Sequence, residues 1–135
     1  MGALTAYYDY QHGEQPVEIA SSADVDALID RLRAEADWPV LVQLYLQEDV
    51  HGQELSIGID GDRGVVRYSG PDAFEGTYSK GDGPGDGDPL TYFYMGSDTP
   101  FPPNAEIPLD RVRNAAIEFL NNGERPRTLE WQLAS

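Results

Sequence analysis

Glu54-Leu55-Ser56-Ile57-Gly58-Ile59-Asp60-Gly61-Asp62-Arg63-Gly64-Val65-Val66-Arg67-Tyr68 is the stretch where hydrophobic pattern, turn chemistry and charge give one answer. Leu55, Ile57 and Ile59 alternate with Ser56 and Gly58, the period-2 signature of a strand that buries one face. Asp60-Gly61-Asp62-Arg63-Gly64 supplies residues that tolerate positive φ, and Val65-Val66-Arg67-Tyr68 resumes the extended pattern. The stretch therefore reads as a β-hairpin, taken here as the centre of an antiparallel sheet.

Upstream, Val40-Leu41-Val42-Gln43-Leu44-Tyr45-Leu46 is almost continuously apolar and reads as an interior strand beside the hairpin. Before it, Ser21-Ser22-Ala23-Asp24 gives a helix start, with Ser21 as N-cap and Asp24 in the capping-box position. The helix is expected to run to about Ala36, with Val25, Leu28, Ile29 and Leu32 as its apolar stripe, and to end at Trp38-Pro39. At the front of the chain, Leu4 to Tyr10 is rich in aromatic and β-favouring residues. It reads as a strand, and Val17-Glu18-Ile19 as a short partner strand.

Downstream, Phe74 to Ser79 is expected as an edge strand or an irregular connection, and Gly81 to Pro89 as a solvated loop. Leu90 to Met95 restores a strand, and Thr99 to Asn104 reads as a proline-stiffened connection. A second helix is expected over Leu109 to Asn122, with Leu109, Val112, Ala116, Phe119 and Leu120 facing the core and Asn121-Asn122-Gly123 as its stop. Thr128 to Leu133 alternates again and reads as a closing strand, with Leu129, Trp131 and Leu133 on one face. The pattern is α+β: one domain over residues 1–135, a largely antiparallel sheet of about five to seven strands, and two helices packed on it.

The chain of 135 residues is long enough for a single core. It has no cysteine, so disulfides, thiolate metal sites and thiol nucleophiles are excluded. No apolar run reaches the length of a membrane span, and the N-terminus lacks the pattern of a signal peptide, so the protein is expected in the cytoplasm. The 24 acidic residues outnumber the 9 basic ones, for a formal charge of -15. Such a surface repels nucleic acid and anionic lipid, and any charged partner is expected to be basic. Acidity that serves solubility alone is the competing reading.

No catalytic constellation stands out. His12-Gly13-Glu14 matches half of a zinc deaminase signature, but the cysteine half is missing, and His51 lies outside any HExxH spacing. No metal site and no cofactor are expected. Neither G-x-S-x-G nor S-x-x-K occurs, and the glycine-rich stretch at 81–89 leads into a strand and is itself anionic, the wrong setting for phosphate. Asp82, Asp86 and Asp88 resemble a calcium loop in composition but not in EF-hand spacing. The alternative reading built on them is an acidic or calcium-responsive binding domain that uses the 81–89 loop.

What remains is a surface. Asp60, Asp62, Glu75, Asp82, Asp86 and Asp88 fall in turns or loops, and Tyr68, Tyr78, Tyr92 and Tyr94 on the strands that carry them. Acids for steering and tyrosines for contact suit docking on a basic cleft. The expected partner-binding residues are therefore Asp60, Asp62, Glu75, Tyr78, Asp82, Asp86, Asp88, Tyr92 and Tyr94. The competing reading of each tyrosine is a half-buried sheet residue.

The order of a capped helix, an apolar strand, the Ile57-Gly58-Ile59-Asp60 hairpin, the Tyr92-Phe93-Tyr94 strand, a helix after Ile107-Pro108, then Arg125-Pro126 and Glu130-Trp131, resembles the Imm1 group of bacterial immunity proteins. The resemblance runs from about Ser22 to Gln132. It implies a small cytoplasmic antidote, made beside a secreted polymorphic toxin that is often a nucleic-acid deaminase, which it binds and blocks without catalysis. The implied partner is a toxin with a basic active-site cleft. Trp131 corresponds to the family's C-terminal tryptophan, and Trp38, Glu130 and Trp131 are expected to be structural. The 81–89 loop looks longer than the family norm, and the oligomeric state is left open.

Overall fold

In a computed structural model of the chain, residues 4–7, 17–35, 39–46, 53–70, 73–81, 89–94, 97–123 and 125–132 are described. Among the described residues, ten strands and two helices follow one another: β1 (Leu4–Tyr7), β2 (Val17–Ile19), α1 (Ser22–Glu35), β3 (Val40–Leu46), β4 (Glu54–Asp60), β5 (Arg63–Gly70), β6 (Ala73–Ser79), β7 (Leu90–Tyr94), β8 (Ser97–Phe101), β9 (Ile107–Pro108), α2 (Leu109–Asn122) and β10 (Trp131–Gln132). The α+β class holds, and the sheet is larger than the expected five to seven strands.

The hairpin is central. The strand order is β10-β6-β5-β4-β3-β1-β2, and β4 pairs with β5 from Glu54↔Ser69 to Asp60↔Arg63. Gly61 opens the two-residue turn at φ 63°, a conformation that costs a residue with a Cβ about 1 kcal/mol or more. β3 lies on the other side of β4, and β1 and β2 extend the sheet, all antiparallel.

One face of the sheet is covered by the helices. The Ser21 hydroxyl accepts from the Asp24 amide at 3.3 Å, while the Asp24 carboxylate accepts from the Ala20 amide at 2.9 Å, one residue earlier than in a standard capping box. Val25, Leu28, Ile29 and Leu32 of α1, and Leu109, Val112, Ala115, Ala116, Phe119 and Leu120 of α2, are buried against Val42, Leu44, Leu55, Ile57, Ile59 and Val66. Each such large side chain is worth about 1.5–3 kcal/mol of burial. Tyr68 completes this core, edge-on to both Phe119 and Trp131 at 6.4 Å. Gly123 ends α2 in the left-handed region at φ 68°, its amide donating to the Phe119 carbonyl at 2.7 Å.

The opposite face is covered in part by the β7–β8 hairpin. Leu41 of β3 and Val65 of β5 point this way and are buried with Tyr92, Phe101 and Ala105. Between them lies Gly58, where a Cβ would come within 2.6 Å of the Tyr92 ring and of Val65. The glycine at 58 is thus demanded by space, and the one at 61 by φ.

Several expectations are corrected. Residues 99–101, expected within a proline-stiffened connection, belong to β8, which pairs with β7 from Leu90↔Phe101 to Tyr94↔Ser97. Pro100 is tolerated because, among the described residues, β8 pairs only with β7, so no ladder bond is lost on its outer side. β6 is not simply an edge, since β10 caps it at Tyr78 and Ser79. The closing strand is reduced to Trp131–Gln132, with Leu129 buried just before it and Leu133 outside the described residues. Tyr8 to Tyr10, Trp38, Met95 and 82–88 also lie outside them. Among the described residues no helix is long and apolar enough to cross a membrane.

The two glycines separate in a denaturation experiment. Gly58→Ala is expected to cost about 1–3 kcal/mol by overpacking against Tyr92 and Val65, read as a lower urea midpoint. Gly61→Asn, a residue that enters the left-handed region readily and has open space at its Cβ, is expected to stay within about 0.5 kcal/mol of wild type.

Candidate interaction surface

The hairpin turn is a junction. The Asp62 carbonyl accepts from the Leu109 amide at 2.9 Å, which satisfies the first amide of α2, where Pro108 at the N-cap position offers no side-chain cap. The Asp62 carboxylate is held by Arg33 in the last turn of α1. Next to it, Arg63 reaches Glu106 at 3.7 Å, and the other Glu106 oxygen accepts from the Tyr92 hydroxyl at 3.1 Å. Burial, reinforced by the Glu106 carboxylate, drives the Tyr92 phenol far above its ordinary range, so it stays a donor. Asp60 is exposed beside this junction.

The sheet face opposite the helices is organised in rows set by register. The row Leu41, Gly58, Val65 lies under Tyr92. The next is Tyr7, Gln43, Ser56, Arg67, Tyr78, and beyond it Glu18, Thr5, Tyr45, Glu54, Ser69. In these rows Ser56 is buried at 2 % exposure, and Tyr78 packs edge-on against Phe101 at 5.4 Å. Gln43, Tyr45, Glu54, Arg67 and Tyr78 are half-buried. The Tyr45 hydroxyl donates to Gln43 at 2.6 Å, and the Arg67 guanidinium sits 5.7 Å from the centre of the Tyr78 ring. Burial raises the Glu54 carboxyl, opposed by the Arg67 charge and the Ser56 hydroxyl.

Charge is distributed unevenly. The helices, the segment after α2 and Lys80 carry seven cations (Arg31, Arg33, Lys80, Arg111, Arg113, Arg125, Arg127) against seven acids (Asp24, Asp26, Asp30, Glu35, Asp110, Glu118, Glu130). Arg113 binds Asp26 at 2.9 Å and Asp30 at 3.0 Å, clamping one helix to the other. The strands and their turns carry two cations (Arg63, Arg67) against seven acids (Glu18, Glu54, Asp60, Asp62, Glu75, Asp98, Glu106). The remaining ten acids of the chain lie outside the described residues.

On the helix side, an open cavity of about 460 Å³ is lined by Lys80, Arg111, Asn114, Thr128 and Glu130. Every one of these is exposed. Among the described residues no group of three or more His, Asp or Glu side chains is placed to hold a metal; His12 and His51 are not among them.

Of the residues expected to contact a partner, Asp60 and Asp62 sit together at the turn, Tyr78 and Tyr94 are half-buried around the β7–β8 cover, and Glu75 lies in β6. Tyr92 is placed otherwise: it is 1 % exposed, and its ring offers no area to a partner. Asp82, Asp86 and Asp88, with the calcium reading built on them, fall outside the described residues. Glu130 is exposed, its carbonyl accepting from the Lys80 amide at 2.9 Å, and Trp131 packs on the main core with its indole donating to Pro126 at 2.9 Å. Sequence reasoning passed over Gln43, Tyr45 and Glu54. The signal was present, since Gln43 and Tyr45 interrupt an apolar run two residues apart, out of phase with Val42 and Leu44.

A largely antiparallel sheet backed by two helices defines a fold of α+β class. The chain belongs to the Imm1 family of immunity proteins, whose family model matches residues 13–133, and an immunity protein acts against a toxin. No curated protein matches it.

Two predictions concern the acids of this surface. Because the Glu54 carboxyl is raised above 4.5, its burial penalty is absent where it is protonated in both folded and unfolded chains, and grows as pH rises through the folded value. Glu54→Gln is thus expected to raise Tm at pH 7 relative to wild type, with the difference shrinking towards pH 4. Asp62→Asn, which breaks a pair between side chains 82 % and 49 % exposed, is expected to change stability by at most about 0.5 kcal/mol in urea denaturation, because the helix contact is made by its backbone.

Proposed function

We propose that this chain neutralises a secreted bacterial toxin encoded beside it by covering the toxin's basic substrate cleft, and that it performs no reaction. The observation that carries the proposal is membership of the Imm1 family over residues 13–133. The toxin is a nucleic-acid deaminase. An enzyme that handles DNA or RNA needs cationic groups for phosphates, and an acidic protein can occupy the same groups and exclude substrate. The excess of acids over cations on the strands supports this reading. The antidote works in the cytoplasm, without cofactor, nucleic acid or membrane. Asp60 and Asp62 at the turn, Glu75, and the loop acids Asp82, Asp86 and Asp88 steer the approach, with Tyr78 and Tyr94 at the contact.

Mixing the protein with the toxin of the neighbouring gene is expected to give a complex at micromolar concentration and to abolish toxin activity; free toxin with full activity would refute the proposal. Neutralising Asp60 and Asp62 to Asn is expected to slow association at low salt, with the deficit shrinking as salt rises. Stopped-flow rates that respond to neither change would remove the electrostatic part.

A further inference from the structure

We infer that the β7–β8 hairpin is a hinged cover: its two strands lift off the sheet as one unit while the remaining strands and both helices stay folded. The inference stands apart from the toxin reading and holds whatever the partner is.

The two covers of the sheet are fastened differently. The helices share one continuous core with β1 to β5, running from Leu4 and Ile19 to Phe119 and Leu120. The cover on the other face closes a smaller, separate cluster, to which the hairpin brings the buried rings of Tyr92 and Phe101 and the rest of the fold brings Leu41, Val65 and Ala105. Among the described residues, the main chain of the hairpin meets the rest of the sheet at one register pair, Val40↔Phe93, where the Phe93 amide donates to the Pro39 carbonyl at 2.9 Å. β4, by contrast, is laddered along both edges, from Val40↔Ile59 to Tyr45↔Glu54 and from Glu54↔Ser69 to Asp60↔Arg63. A supersecondary unit joined across a seam with few ladder bonds and little apolar area is the one that opens first.

The hairpin also keeps its own bonds when it lifts. β7 and β8 stay paired, and Tyr92 and Phe101 meet edge-on at 5.5 Å within the unit. What opening breaks is the Tyr92 ring against Gly58, the edge contact of Phe101 with Tyr78 and the hydrogen bond from Tyr92 to Glu106. The seam ends just past β8. Pro102 and Pro103 have no amide to donate, and the chain is pinned directly after them: the Asn104 carbonyl accepts from the Gly81 amide at 2.7 Å, and the Ala105 carbonyl from the Ser79 hydroxyl at 2.7 Å. Val65 and Val66, consecutive in β5 and both fully buried, therefore lie under different covers, Val65 beneath the hairpin and Val66 beneath the helices.

That pair supplies the test. The chain has no cysteine, so Val65→Cys and Val66→Cys each carry a single thiol. With an aromatic disulfide reagent, and rates normalised to each unfolded variant, Val65→Cys is expected to react roughly 10-fold faster than Val66→Cys or more, and with a weaker acceleration by urea, because partial opening exposes less surface than full unfolding. Ala116→Gly, which weakens α2, is expected to speed labelling of Val66→Cys several-fold and to leave Val65→Cys within about 2-fold, since the open form still holds the helices. Hydrogen exchange of the wild type reads the same event without a substitution: peptides from β7 and β8 exchange ahead of those from β4 and β5, and the two hairpin strands share one urea dependence. Equal labelling rates and urea slopes for the two thiols, or hairpin amides that exchange together with β4 and β5, overturn the inference. Hairpin amides whose exchange does not respond to urea, the signature of fraying, overturn it as well.

Discussion

The ring of Tyr92 lies against a backbone with no side chain, and much of the molecule follows from that contact. Strand β4 is buried on both faces, so the sheet needs two covers. The helices supply one with Phe119, Val112 and the stripe of α1; the other is the β7–β8 hairpin, which comes close because position 58 is glycine. Leu41 and Val65 then meet Tyr92 and Phe101, and the phenol finds a half-buried acceptor in Glu106. Where the row changes from Leu41, Gly58, Val65 to Gln43, Ser56, Arg67, the apolar side chains that hold the cover give way to polar ones.

The hairpin turn links the two covers. Through one residue, Asp62, the turn starts α2 with its carbonyl and meets α1 with its carboxylate. Arg63 continues the linkage to Glu106 and so to Tyr92. Carboxylates that look like free tip charges in the sequence are thus committed in part to internal partners, which reduces their power to steer a partner from a distance. Pairing of this kind also balances the helix layer, where Arg113 takes up both Asp26 and Asp30. Among the described residues, acids outnumber cations on the strands and their turns.

Much of the architecture was legible from periodicity and local chemistry. Leu55, Ile57 and Ile59 marked the central strand, Asp60-Gly61-Asp62 the turn, and Leu109 to Gly123 a helix whose boundaries match the structure, because a core stripe and a left-handed stop are both local signals. The extra strands were not legible. β9 and β10 are two residues long, too short for any alternation, and β8 was hidden by prolines that an edge position tolerates.

The sequence by itself determined the fold class, the hairpin at its centre, the helix limits, the family resemblance and the acidic excess, since each is carried by the order and type of neighbouring residues. Only the tertiary structure decided that Tyr92 is core while Tyr45 is half-buried outside the core, and that Asp62 is tied to two helices. Those outcomes depend on which strand lies beside which and on where the β7–β8 hairpin ends, and long-range register of that kind leaves no trace in the spacing of residues along the chain.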